Sequence, residues 1–217
     1  MKKLLVALVI LAIVTTAAGC IEPKEAGAAR VDEGALVRAE WIQEGDVQKQ
    51  TMEILNTTFL TLEINTAMLT YKDKELQDRI ERHTAGLSDA TSYMMTVRVV
   101  FPLDIVPPSD MVLDAMEGQF LESMRENAPD VQQTEVKTIK IDAGYVAYAK
   151  IYEGTVHYEG GSVRIRGILA IWNDGESTIV AGAVVPLEDI TFLGIPIVKI
   201  DGEAEFKEVI TLIQSVA

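Results

Sequence analysis

The most reactive side chain of this 217-residue sequence is its single cysteine, Cys20. Without a second cysteine, the chain cannot form an intramolecular disulfide or a cysteine-based zinc site. Residues 1–3 (MKK) carry two positive charges, an unbroken apolar run covers residues 4–14, and small residues lead up to Gly19. A basic head, an apolar middle and a small-residue end are typical of a secretory signal. The apolar run is shorter than the roughly 20 residues that a membrane-spanning helix needs.

The junction Ala18-Gly19-Cys20 resembles the lipobox of prokaryotic lipoprotein signals. This resemblance implies signal cleavage after Gly19 and lipidation of Cys20, which would anchor the protein in the cell membrane facing outside. A diacyl-type anchor holds a protein stably, because two acyl chains exceed the marginal affinity of one. The alternatives are an ordinary cleaved signal with a chance cysteine and an uncleaved N-terminal anchor.

The charge of the chain limits its partners. There are 33 acidic and 19 basic residues, and cleavage after Gly19 would take the formal net charge from −14 to −16. Such a field repels phosphate backbones, so we predict no nucleic-acid partner. The predicted partners are the membrane, through the lipid anchor, and a protein.

The sequence contains no G-x-S-x-G elbow and no glycine-rich phosphate loop. The two histidines, His83 and His157, are too few for a histidine-rich metal site. We therefore predict no catalytic residue, no metal and no cofactor. The predicted function is that of a membrane-anchored extracytoplasmic lipoprotein with a non-catalytic binding or assembly domain. The alternative is an envelope-associated enzyme, a hydrolase or transferase, with an untypical site.

Two further segments are candidate sites. Asn56-Thr57-Thr58 matches the N-glycosylation pattern, and its alternative interpretation is a plain polar turn. The stretch 191–198 is apolar but is interrupted by Gly194 and Pro196, which disfavour a regular strand interior. Its side chains either cap the sheet edge under the terminal helix or form an exposed docking loop through Phe192, Leu193 and Ile195.

The periodicity of the soluble part predicts an α+β fold. Antiparallel strands would be covered by a long central helix over 109–127 and a C-terminal helix capped by Asp201. A four-strand meander is expected over 134–185, and strands are favoured over 35–72. The predicted organisation is a signal peptide (1–19), a lipidated cysteine with a tether (20–34) and one α+β domain (35–217). Within the two helices, Phe120 and Ile210 should be buried, whereas Glu205 should point outward.

The sequence resembles two protein families. The order of strand, helix, meander and terminal helix over 93–217 is similar to the topology of Mog1/PsbP-like α/β/α sandwiches. The chain also resembles uncharacterised archaeal membrane lipoproteins. The second resemblance uses the lipobox, the strands 56–71 and 93–101 with the following proline-rich loop, Val184-Val185-Pro186 and Asp201-Gly202-Glu203. This family implies no activity, so it assigns no functional residue.

Overall fold

The computed structural model describes residues 24–56, 61–84, 91–101, 109–158 and 160–217. Its elements are α1 (Glu33–Ala39), β1 (Trp41–Asn56), β2 (Thr61–Asp73), α2 (Lys74–Thr84), β3 (Tyr93–Val100), α3 (Ser109–Asn127), β4 (Gln132–Lys140), β5 (Val146–Tyr158), β6 (Gly161–Asn173), β7 (Thr178–Pro186), β8 (Ile190–Phe192), β9 (Ile195–Val198) and α4 (Gly202–Gln214). The predicted signal, with Gly19 and Cys20, lies outside the described residues. Within the described ranges, no helix combines the length and the apolarity needed to cross a membrane.

Seven strands form one antiparallel sheet in the order β1-β2-β3-β7-β6-β5-β4. The last four strands are consecutive in the chain, which confirms the predicted meander. At the β6–β7 turn, Asp174 Oδ1 accepts the backbone N–H groups of Glu176 and Ser177 at 3.0 and 2.7 Å. The β7 strand lies in the middle of the sheet and is buried along almost its whole length. This burial explains why β7 is apolar at nearly every position.

Because side chains alternate along a strand, the sheet has two apolar faces. One face, which we call the terminal-helix face, packs against α4, α1 and the chain before α1, and it buries Trp172 and Tyr71. The opposite face, which we call the α3 face, packs against α2, α3 and the β8–β9 hairpin, and it buries Leu169 and Phe120. The predicted burial of Phe120 is confirmed, whereas Ile210 is only half-buried at the edge of α4.

The predicted fold class, a sheet covered by a long central helix, is wrong. Strands make up about half of the described residues and helices about a quarter, so the fold is β-rich. The β1 strand extends over 16 residues, further than the alternation of its sequence indicates, and β2 extends over 13 residues. The helix over 109–127 is present, but its main contacts are with β5, β6 and β7, and it is not a central layer. A seven-stranded sheet is wider than one such helix can cover.

Residues before Ala35, the first residue of the predicted domain, also pack into the core. Ala29 and Val31 are buried, and Arg30 and Ala217 exchange two backbone hydrogen bonds of 2.9 Å. The α1 helix then begins after Asp32, whose side chain accepts the Ala35 N–H at 2.8 Å. The expectation of strands from residue 35 is therefore wrong for α1, since a seven-residue helix shows little periodicity and depends on its cap.

Candidate functional site

A row of side chains crosses the sheet at the end where β2 finishes, and it faces the terminal helix. We call this the hairpin end, because the β8–β9 hairpin also lies here. Ser92 precedes β3 and continues the β2–β3 register, since its carbonyl accepts the Asp73 N–H at 3.2 Å. The strand registers therefore align, from β1 to β5, Trp41, Asp73, Ser92, Val185, Arg166 and Glu153.

Three carboxylates meet at this row. Asp73 ends β2 and is 3% exposed, while Glu205 and Glu208 lie three residues apart on one face of α4. One oxygen from each group lies within 4.8 Å of the others. The Leu76 N–H donates to Asp73 Oδ1 at 2.8 Å, and the Trp41 indole donates to Glu208 Oε1 at 2.9 Å. We call these three residues the carboxylate cluster.

The crowding of negative charge perturbs all three groups of the carboxylate cluster. Burial, followed by the charges of Asp73 and Glu208, raises the pKa of Glu205 to about 7. Burial also raises the pKa of Asp73 and of Glu208, although each accepts a hydrogen bond that lowers it. Such a set of hard oxygen atoms can share a proton or bind a cation.

The basic side chains around the carboxylate cluster have other partners. Arg79 donates to Glu75 Oε2 at 3.0 Å and also to the Lys199 carbonyl. Arg166 lies further along the row, where it binds Glu153 at 2.8 Å and Glu203 at 2.9 Å. Arg79 does lower the pKa of Glu205, but this effect is smaller than those of burial and of the two neighbouring carboxylates. The cluster is therefore incompletely neutralised by the described side chains.

The second feature of the hairpin end is the β8–β9 hairpin itself. Its first strand is attached to the β5–β6 turn by Tyr158, whose hydroxyl donates to the Thr191 carbonyl at 2.6 Å and accepts the Thr191 N–H at 3.1 Å. The Phe192 ring covers Gly160, where an added Cβ would lie 2.6 Å from the ring. Gly160 also has a φ of 90°, so both space and backbone conformation favour glycine there.

The tip of the hairpin is exposed, although its base is buried. Ile190 and Val198 are buried, whereas the exposed fractions are 37% for Phe192, 74% for Leu193 and 67% for Ile195. Two arrangements were expected for residues 191–198, one buried and one exposed, and the tip of the hairpin is exposed. The base follows the buried outcome, but it packs on the α3 face and not under the terminal helix.

Leu193 has an unfavourable backbone conformation. It has a φ of 50°, and Gly194 after it has a φ of 78°, which together form a two-residue hairpin turn with positive φ at both positions. Asparagine or glycine is preferred at the first position, because a Cβ in the left-handed region costs roughly 1–2 kcal/mol. The chain thus carries a bulky apolar residue where neither the backbone nor the solvent favours it.

The other predicted site residues are distributed over the molecule. Asn56 is the last residue of β1, and the rest of its sequon lies outside the described residues. Glu205, predicted to point outward, is half-buried in the carboxylate cluster, and this prediction is wrong. The patterns in the sequence do not predict this cluster. Its one signal in the sequence is the pair Glu205 and Glu208 flanking the apolar stripe of α4.

Comparison with known proteins matches most of the chain to a family whose function is unknown. Residues 28–217 match the family described as "Domain of unknown function (DUF6517)". No curated protein and no solved structure matches the chain.

Proposed function

The chain belongs to the DUF6517 family, and we propose that it is a membrane-anchored extracytoplasmic lipoprotein whose domain binds a protein partner without catalysis. In this proposal the lipid is on Cys20 and the partner contacts the tip of the β8–β9 hairpin. The observation that carries it is the exposed Leu193, held at positive φ at the tip of an apolar hairpin. The narrower identification as an archaeal lipoprotein, and the likeness of 93–217 to Mog1/PsbP-like sandwiches, belong to the same proposal.

The path of the N-terminal segment supports an orientation relative to the membrane. The Lys24 carbonyl accepts a hydrogen bond of 2.8 Å from Asn65, which pairs with Val100 at the end of the sheet opposite the hairpin end. Lys24 follows Cys20 by four positions in the chain, a distance of at most about 14 Å. From Asn65 to Asp73 the β2 strand rises by roughly 26 Å. A lipid on Cys20 would therefore hold the hairpin end away from the bilayer.

This orientation and the charge of the protein favour a protein as the occupant of the hairpin tip. A tip that points away from the bilayer is not placed to enter it. Exposed apolar side chains that are retained at a cost in backbone strain are typical of contact surfaces. The acidic residues Glu188 and Asp189 lie at the base of the hairpin, and the chain as a whole is strongly negative. We therefore propose a partner with an apolar pocket bordered by basic residues.

The lipid anchor is tested by mass spectrometry of the protein isolated from membranes. We expect the first residue to be Cys20 with the added mass of a lipid, and no peptide from residues 1–19. The Cys20→Ser protein should lack that mass, whereas Thr15→Ala, which leaves the cleavage junction intact, should resemble the wild type. An unmodified Cys20 in a membrane-bound chain would contradict the anchor.

The hairpin is tested by photo-crosslinking in cells. A benzophenone amino acid at position 193 should form a discrete adduct with one protein. The matched position is Val146, which is 65% exposed at the opposite end of the sheet and should form none. The crosslinked protein is then purified, and its affinity for the wild type is compared with its affinity for Leu193→Asn and Val146→Asn.

Leu193→Asn separates binding from folding. Asparagine tolerates positive φ, so this change should leave the protein as stable as the wild type or more stable by up to about 1 kcal/mol. The affinity for the partner should nevertheless fall at least about tenfold, a loss within the range of an interface anchor residue. Equal affinity of Leu193→Asn and the wild type, or adducts of equal yield from positions 146 and 193, would refute the proposal.

A further inference from the structure

We propose that the carboxylate cluster of Asp73, Glu205 and Glu208 is a calcium site to which the Ser92 hydroxyl contributes. This site lies on the terminal-helix face and needs neither the lipid anchor nor the hairpin partner. Two of its carboxylates come from the first turns of α4 and the third comes from the end of β2, so a bound ion would join the terminal helix to the sheet.

The position of Ser92 is the observation that points to a ligand beyond the carboxylates themselves. Ser92 is completely buried, and its Oγ has no hydrogen-bond partner within the described residues. Its backbone continues the β2–β3 register directly opposite Asp73. Opposite residues of an antiparallel pair have side chains on the same face, with Cβ atoms roughly 5 Å apart. The Ser92 hydroxyl is thus directed to the same side of the sheet as the Asp73 carboxylate.

An unsatisfied buried hydroxyl is unfavourable, and so is a nearly buried carboxylate beside two others. These two unfavourable groups, the Ser92 hydroxyl and the Asp73 carboxylate, are neighbours on adjacent strands. A single cation bound between them would remove both costs, because it would accept the lone pairs of the hydroxyl and neutralise the carboxylates. A shared proton would reduce the charge of the carboxylates but would leave the Ser92 lone pairs without a donor unless the hydroxyl also joined the network.

The ligand set favours calcium. Carboxylate and hydroxyl oxygens are hard ligands, which suit Ca²⁺ and Mg²⁺ and not the metals that prefer histidine or cysteine. Calcium accepts six to eight oxygens in flexible geometry at about 2.3–2.6 Å, so oxygens across the ion are roughly 5 Å apart. The three carboxylate oxygens all lie within 4.8 Å of one another, so one such ion could bind all three. Magnesium requires a tighter octahedron and usually retains several of its waters.

The test is isothermal titration of CaCl₂ into the full-length protein, purified in detergent and stripped with a chelator. We expect one ion per chain, with a dissociation constant of about 10⁻⁴ to 10⁻³ M, the range of extracellular calcium modules. Addition of 10 mM CaCl₂ should raise the midpoint of thermal unfolding by about 3–10 °C. MgCl₂ at the same concentration should raise it by less.

Two ligand variants and one control variant test whether calcium binds at the proposed residues. Glu205→Gln should weaken calcium binding at least about tenfold, because it removes one ligand charge. Ser92→Ala should weaken it by about threefold, the effect of losing one neutral contact. In the chelator, Ser92→Ala should be at least as stable as the wild type, so its loss of affinity does not come from misfolding. Glu122→Gln, a change of the same charge at an exposed position of α3, should leave binding unchanged.

The proposal is overturned if calcium produces neither heat nor a shift in the unfolding midpoint. It is also overturned if Ser92→Ala, shown to be folded by circular dichroism, binds calcium as tightly as the wild type. A shift with magnesium equal to that with calcium would refute the assignment of the ion.

Discussion

Replacement of Phe120 by alanine is expected to lower the free energy of unfolding by about 3–5 kcal/mol. The Phe120 side chain is 8% exposed and joins α3 to the sheet, with its ring centre 5.6 Å from that of Tyr152. It also fills the space above Gly167 and Gly182, where an added Cβ would lie 3.3 Å from the ring in each case. Because two of its neighbours are glycines without side chains to move inward, only nearby side chains such as Met124 could partly fill the cavity left by the ring.

Urea unfolding of the purified protein measures this loss. Phe192→Ala is the matched control, since Phe192 is 37% exposed at the hairpin and its loss should cost only about 1 kcal/mol. Phe120→Leu should fall between the two variants, because leucine retains part of the buried surface. Similar urea midpoints for Phe120→Ala and Phe192→Ala would show that α3 contributes little to the core.

Gly202→Ala should also destabilise the protein strongly, by about 3 kcal/mol, near the upper end of the range for overpacked sites. Gly202 begins α4, directly after the cap in which Asp201 Oδ1 accepts the Ala204 N–H at 3.1 Å. A Cβ at Gly202 would lie 2.4 Å from the Cα and the carbonyl oxygen of Leu187. These are backbone atoms, so α4 itself would have to move away from the sheet.

Gly118→Ala is the control, and it should change the free energy of unfolding in the opposite direction. Gly118 lies within α3, and an added Cβ there meets nothing within 4 Å. Alanine should therefore stabilise the protein by roughly 0.5–1 kcal/mol, since glycine is the poorer helix former. Thermal unfolding of both variants distinguishes a local clash at Gly202 from a general effect of helical glycines. A Gly202→Ala protein as stable as the wild type would show that α4 tolerates displacement from Leu187.

Displacement of α4 would also affect the carboxylate cluster. Glu205 and Glu208 reach Asp73 because the first two turns of α4 direct their side chains toward the end of β2. Gly202 sets that separation, since it permits the close approach of the helix to Leu187. A folded Gly202→Ala protein is therefore expected to bind calcium more weakly than the wild type, without any change to a ligand residue.

The sequence by itself determined the local elements whose signals are strong and short in range. The meander and the Asp201 cap of α4 follow from turn residues, alternation and capping, which act within a few positions. The burial of Phe120 likewise followed from the periodicity of its helix. The signal and the lipidation of Cys20 are also sequence patterns, and they stay predictions.

Only the tertiary structure decided how many strands join the sheet and which residues come together in the sites. The number of strands in one sheet depends on pairing between distant segments, such as β3 with β7, and no local pattern encodes that pairing. The calcium site joins residues that are distant in the chain. The β2–β3 register places Ser92 beside Asp73, and the position of α4 brings Glu205 to them. The sequence could not decide whether Leu193 is exposed, because an apolar segment can be either buried or an exposed tip. The contacts of the hairpin with Tyr158 and Gly160 fix its position and leave Leu193 exposed.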